Sequence, residues 1–298
     1  MSLLAILRDY FRKPEAMRQR SVLCAHPGGL HRMAYTEWGE PNNPKVLVCV
    51  HGLTRNGRDF DYLAQALADD YRVICPDVAG RGASEWLPNK AWYGLPQYVA
   101  DMVTLLARID SEQVHWLGTS MGGLIGMLLA SVDKTPITRL VLNDVGPVIT
   151  AESLRRIGEY VGNAPDFASL AAAEAYVRQI CAPFGRLTDA QWQQLTHHCV
   201  RQEPGTSVWR MVYDPAVAEP FRAAFMLGDV DLWPVYEAIR CPTLVIRGAQ
   251  SDLLARDIWQ AMAKRGPCAQ LAEIDQVGHA PPLLDGDQVG VVRQFLLV

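Results

Sequence analysis

Short runs of aliphatic and β-branched residues recur along the chain at 46–50, 72–76, 114–117, 139–142, 243–247 and 271–274. Each has the length of one strand and is apolar at most positions, the pattern of a strand covered on both faces. Segments 61–68, 98–109, 122–131, 257–264 and 288–297 lie between them and carry apolar residues at helical spacing. This alternation predicts βαβ units, and so an α/β fold with a parallel sheet between two layers of helices. Two earlier strand-like segments, 22–24 and 31–38, are bridged by Pro27, Gly28 and Gly29. That turn signal predicts an antiparallel hairpin leading into the sheet.

The alternation stops after Pro147 and resumes at Cys241. Between these points the helical periods are broken by prolines and no good strand is found. Residues 148–240 are therefore predicted to be a helical insertion carried by a core made of 1–147 and 241–298. The large side chains of the insertion, among them Phe184, Trp192, Trp209, Tyr213, Met226 and Trp233, are expected mostly to pack its interior, with a minority facing a pocket. Trp86, Trp92 and Tyr93 are likewise expected to serve packing.

Composition narrows the function classes. A chain of 298 residues with 49% hydrophobic and 20% charged residues is long enough to bury a large core. Its formal net charge of -4 provides no basic stripe for phosphates, so nucleic acid is excluded as the expected partner and a small molecule is favoured. The apolar run Leu3 to Leu7 is shorter than a secretory core and is followed, not preceded, by Arg8, Arg12, Lys13, Arg18 and Arg20. It reads as a helix packed on the domain or a frayed end rather than a membrane-surface helix, and no stable membrane insertion is expected. The seven scattered cysteines look like reduced core thiols, which suits a cytoplasmic protein. Adjacent residues on a helix point about 100° apart, so His197, His198 and Cys199 cannot converge on one ion and read as a solvated face. No metal site is expected. Oligomeric state has no signature in the sequence.

The strongest chemical signal is Gly118-Thr119-Ser120-Met121-Gly122, a G-x-S-x-G between an apolar strand and a helical run. A serine at such a turn is presented with its hydroxyl exposed, beside the free N–H groups of a helix start. The dinucleotide fingerprint fails because it needs glycine where Ser120 stands. A serine hydroxyl needs a base, and His279 follows the strand at 271–274 on the sheet edge where open α/β sheets place their sites. The histidine in turn needs a carboxylate. Asp252, in the loop after 243–247, is favoured; Asp144, one strand earlier, is the competitor, otherwise expected to order the path into the insertion. Oxyanion donors, each worth about 3 kcal/mol, are assigned to the Leu53 and Met121 N–H groups. His51 is expected to order the loop at 51–54 rather than act as a base.

These residues, together with Asp77 and Gly80-Arg81-Gly82-Ala83-Ser84, resemble the α/β-hydrolase superfamily from about Ser21 onward. The resemblance implies an eight-stranded, mostly parallel sheet with its second strand antiparallel, a helical cap at 148–240, and the chain order nucleophile, acid, histidine. The expected activity is cofactor-free hydrolysis of an apolar carboxylic ester or lactone through an acyl-enzyme on Ser120. Haloalkane dehalogenases and epoxide hydrolases of the superfamily carry aspartate at the Ser120 position, and dienelactone hydrolases cysteine. Three alternatives stay open. One is a carbon-carbon hydrolase of vinylogous keto-acids, with Arg55 holding the substrate carboxylate unless it pairs instead with Asp59 or Asp77; another is a cofactor-free haloperoxidase-like or acyltransferase activity; the third is a ligand-binding protein on the same scaffold.

Overall fold

The computed structural model describes residues 17–225 and 228–298. The apolar run at the N-terminus and Met226 lie outside the described residues. Eight strands form the central sheet in the order β1-β2-β4-β3-β5-β6-β11-β12. They are β1 (Arg18–His26), β2 (Gly29–Trp38), β3 (Val46–Val50), β4 (Arg72–Pro76), β5 (Val114–Thr119), β6 (Ile137–Asn143), β11 (Thr243–Gly248) and β12 (Gln270–Ile274). β2 runs antiparallel to both β1 and β4, and the pairings from β4 to β12 are parallel.

The period of two along β3 shows how the sheet is buried. Val46, Val48 and Val50 point into one apolar cluster, and Leu47 and Cys49 into the other. Helices α2 (Leu95–Ile109) and α3 (Met121–Ala130) cover the first face; α1 (Asp61–Leu67) and α10 (Gly286–Leu296) cover the second. The remaining core helix, α9 (Arg256–Met262), precedes β12.

The hairpin is longer than predicted, closing at His26 opposite Gly29 and running back to Arg18 opposite Glu37. Arg18 and Arg20 thus belong to β1, not to a terminal helix. Their polarity hid the strand, because only one face of this sheet edge is covered: Val22 and Cys24 are buried while Leu23 is exposed.

Residues 148–240 hold helices α4 (Ala151–Tyr160), α5 (Leu170–Ile180), α6 (Asp189–Cys199), α7 (Ala218–Phe225) and α8 (Trp233–Ala238). The structure also places four short strands here, which corrects the strandless expectation. β7 (Val148–Ile149) pairs with β10 (Val230–Asp231), and β8 (Val200–Gln202) with β9 (Trp209–Met211). Strands of two or three residues are too short to show an alternating pattern. The β7–β10 pair joins the outgoing and returning chains at the foot of the insertion. The insertion shares a continuous apolar cluster with the sheet, through residues such as Val161, Phe167, Val177 and Trp192. Cys199 is buried in that cluster and His198 is half-buried, so of the three only His197 lies on the solvated face expected. Among the described residues, no helix is long and apolar enough to cross a membrane.

Candidate active site

β5 ends at Thr119 and α3 begins at Met121, so Ser120 alone makes the turn between them. Its φ of 52° and ψ of -115° are rarely adopted by a residue with a side chain, a local cost of about 1–3 kcal/mol met by the surrounding packing. Two glycines make the turn possible. A Cβ on Gly118 would overlap the Gly122 carbonyl, and one on Gly122 would overlap the Val50 carbonyl. The Ser120 N–H donates to the Asn143 carbonyl at 3.0 Å, which ties the turn to the end of β6.

Three side chains from separate strand ends meet here. His279 Nε2 lies 3.0 Å from Ser120 Oγ, and His279 Nδ1 lies 2.7 Å from Asp144 Oδ2. Asp144 has no solvent exposure. Its Oδ1 accepts from the Gly248 N–H at 2.9 Å and its Oδ2 from the Ser251 hydroxyl at 2.7 Å. A carboxylate with these donors is fixed as an acceptor, so the proton between it and His279 sits on Nδ1 and leaves Nε2 free to accept from Ser120.

The structure does not bring Asp252 to this site, and the favoured acid is thereby corrected to Asp144. The Asp252 carboxylate faces the insertion and pairs with Arg156 of α4 at 2.6 Å, with 47% of its side chain exposed. The loop after β11 instead turns Ser251 inward, the neighbour of the residue the sequence favours. Asp144 needs no loop: it follows β6 directly, and β6 lies beside the strand that carries Ser120. Ser251 went unnoticed as a site residue, its only signal being its place beside an expected acid.

The loop after β3 lies opposite the serine. His51 is fully buried; its Nε2 accepts from the Val78 N–H at 3.0 Å, so Nδ1 carries the proton and donates to the Gly52 carbonyl at 2.7 Å. That carbonyl and the Leu53 N–H belong to one planar peptide, so His51 aims the Leu53 donor. Among the described residues no protein acceptor takes the Leu53 N–H. The Met121 N–H opens α3 and is one of the donors a helix leaves unpaired. Asp77 accepts from the N–H groups of Gly57 and Ala83, fastening the 80–84 loop to the turn before α1.

Burial pushes the His51 imidazole down to about 4, against the pull of its Gly52 hydrogen bond. Unfolded, it titrates near 6.5. The folded value is the lower one, so the stability from this site is complete above about 6.5 and is lost as the pH falls toward 4. His51→Gln removes this titration. In urea unfolding, the advantage of the intact protein over the variant should shrink by about 3 kcal/mol between pH 6.5 and 4. A difference that does not vary with pH would mean that His51 is not held neutral.

A cavity of about 430 Å³ opens over Ser120 and His279. Its walls are mostly apolar, from Leu53, Met121, Leu124 and Val145 of the core and Ile157, Tyr160 and Phe184 of the insertion. Tyr93 also lines it, while its hydroxyl donates to Asp214 at 2.7 Å, so it serves both packing and pocket. Trp86 is exposed and Trp92 stacks on His26. Arg55 reaches the cavity wall but is held by Asp59 at 2.6 and 2.8 Å. It is one half of a neutral pair there, so of the two roles open to it the structure favours the pairing with Asp59 over a free cation for a substrate carboxylate.

The pattern of one family, described as the alpha/beta hydrolase family, matches residues 47–292. The chain belongs to the alpha/beta hydrolase family. This alpha/beta hydrolase is 51% identical over 280 residues to a 3-hydroxybutyrate-oligomer hydrolase of Cupriavidus necator, covering 92% of this chain and 96% of that one. The solved structure of an alpha/beta hydrolase from Novosphingobium aromaticivorans is similar at 33% identity and a TM-score of 0.82, covering 94% and 98% of the two chains. A second solved structure, from Rickettsia typhi, has 34% identity and a TM-score of 0.87, covering 95% and 99%.

One group of metal-capable side chains occurs among the described residues of this alpha/beta hydrolase. Cys24, His31 and Asp101 bring ligand atoms within 4.8 Å of one another, away from the cavity. His31 Nε2 and Asp101 Oδ2 already bond each other at 3.1 Å. Burial, reinforced by Asp101, pushes the Cys24 thiol up to about 12, so it stays protonated. The trio is a buried hydrogen-bonded cluster.

Proposed function

We propose that this chain is a serine carboxylic-ester hydrolase acting on short oligoesters of the 3-hydroxybutyrate type. The observation that carries the reading is His279, placed between Ser120 Oγ and the buried Asp144 carboxylate. His279 takes the Ser120 proton as Oγ attacks the ester carbonyl, and the negative charge on the carbonyl oxygen is met by the Leu53 and Met121 N–H groups. The C–O bond breaks, and the proton on Nε2 goes to the leaving alkoxide oxygen. Water then gives a proton to His279 and attacks the acyl-enzyme, releasing the acid and restoring Ser120. Asp144 stays ionised and holds the imidazole in place. Residues 148–240 act as a cap whose apolar side chains line the acyl-binding cavity. Hydroxybutyrate esters are small and mostly apolar, which agrees with a cavity of this size and with the activity named for the Cupriavidus necator relative. The buried thiols support a reducing, cytoplasmic setting.

Carbon-carbon cleavage of keto-acids loses its support, because the Arg55 charge is already matched by Asp59. The test is hydrolysis of linear 3-hydroxybutyrate dimer and trimer, followed by acid titration, alongside labelling by a fluorophosphonate and loss of that label in Ser120→Ala. Turnover with Ser120-dependent labelling is expected. Labelling without turnover of any oligoester would sink the substrate assignment alone; no labelling would sink the mechanism as well.

A further inference from the structure

Arg81 is a buried cation behind the site. It has no solvent exposure, and among the described residues it has no carboxylate partner. Its guanidinium is held by neutral groups instead. Nε donates to the Leu53 carbonyl at 2.8 Å, and Nη1 to the Ala79 carbonyl at 2.7 Å and the Tyr98 hydroxyl at 2.8 Å. Nη2 lies 3.8 Å from Met121 Sδ. The Tyr98 and Tyr93 rings lie 4.8 and 5.8 Å from the guanidinium carbon. The buried Asp214 carboxylate stands across the Tyr93 ring, accepting from the Tyr93 hydroxyl at 2.7 Å, so it offsets part of the guanidinium field without forming an ion pair with it.

The placement gives that field a use. Leu53, Met121, Tyr93 and Tyr98 all contact Arg81 and all line the cavity over Ser120. The guanidinium therefore sits directly behind the wall that carries both oxyanion donors, gripping one of those residues by its carbonyl and touching the side chain of the other. We infer that Arg81 is a positioning residue for ester hydrolysis, one that fixes the Leu53 donor from behind and supplies positive potential where the carbonyl oxygen becomes negative. The inference rests on the oxyanion assignment above. The ground-state ester is neutral and the tetrahedral intermediate is an anion, so the charge favours the second over the first and acts on kcat rather than KM.

A purely structural role is the competing account. The flanking backbone bonds to the insertion, Asp214 N–H to the Gly80 carbonyl at 2.8 Å and Gly82 N–H to the Val212 carbonyl at 2.7 Å. The experiment compares Arg81→Met and Arg81→Lys in the full chain, measuring kcat, KM, thermal midpoint and inhibition by an alkyl boronic acid, whose adduct on Ser120 is an anionic tetrahedron. Arg81→Met is expected to lose about tenfold to a hundredfold in kcat with KM within about threefold, and to lose boronate affinity in parallel. Arg81→Lys keeps the charge but not the fork, and should fall between the two. A lowered midpoint with kcat and boronate affinity intact in a folded variant would overturn the inference. If Arg81→Met does not fold, Arg81→Gln, which keeps a donor but not the charge, decides: unchanged kcat and boronate affinity overturn the inference, and a selective loss of both supports it. Failure of the underlying hydrolase reading looks different, since the unmodified protein would then show neither ester turnover nor boronate inhibition.

Discussion

Asp144→Asn should lower kcat by about four orders of magnitude, whereas Asp252→Asn should leave it within about threefold. An amide at residue 144 puts a donor where His279 Nδ1 now donates at 2.7 Å. The imidazole then carries its proton on Nε2, facing Ser120 Oγ, and cannot accept the serine proton. The amide oxygen is kept on the Gly248 side because a backbone N–H can only donate, whereas the Ser251 hydroxyl, which shares Oδ2 with His279, can rotate, so the amide nitrogen is left facing His279. Asp252 has no such leverage. Its ion pair with Arg156 is half in solvent and contributes less than about 1 kcal/mol. Steady-state hydrolysis of p-nitrophenyl acetate by the two variants is the measurement. Equal losses at both positions would sink the assignment of Asp144 as the acid.

Gly122→Ala should be strongly destabilising, costing more than about 4 kcal/mol in urea unfolding. Its new Cβ would overlap the Val50 carbonyl oxygen and approach the His51 carbonyl to 3.0 Å. Both are backbone atoms of β3 and the loop it leads into, so no side chain can move aside to make room. Relief requires α3 to slide away from β3, which separates the Met121 N–H from the Leu53 N–H and lowers kcat in any fraction that folds. Gly290→Ala is the matched control. Gly290 is an exposed position within α10, with no atom within 4 Å of the added carbon. The same chemical change there should raise stability by up to about 1 kcal/mol. Two losses of similar size would show that the cost at Gly122 is not steric.

The contrast between these aspartates also shows what a single sequence reveals. Strands buried on both faces announce themselves as apolar runs, and β3, β4 and β11 lie where such runs fall. Ser120 and His279 stand in local contexts with a chemical reason, and the structure brings them within a hydrogen bond. The acid was harder, because both aspartates follow neighbouring parallel strands and the choice depends on which way a loop turns. Asp144 has a φ of 55° and its N–H donates to the Ile246 carbonyl at 2.8 Å. That contact to the adjacent strand aims its carboxylate inward, and it is tertiary, with no trace in local spacing. Arg55 was open for a similar reason: the sequence offered both a substrate carboxylate and Asp59 or Asp77 as its partner, and only the fold selects Asp59. Of the short strands within 148–240, β7 and β10 pair across about 80 residues, beyond the reach of any window, and β8 and β9, though a local hairpin, are only three residues each.

The Asp252 loop has one more consequence. Its carbonyl accepts from Ser153 at 3.0 Å and its carboxylate binds Arg156, so α4 is moored to a segment that supplies no reacting group. Had the acid come from this loop, every change in the insertion would pull on the proton relay. With Asp144 seated on β6, residues 148–240 reach the site one neighbour away: Ser251, beside Asp252, donates to the Asp144 carboxylate at 2.7 Å, and the Pro183 carbonyl accepts from the N–H of Gly278, beside His279, at 2.7 Å. A laboratory exchange of residues 150–225 for a relative's segment therefore has to preserve the Pro183, Val212 and Asp214 backbone contacts if the loops carrying His279 and Arg81 are to keep their places.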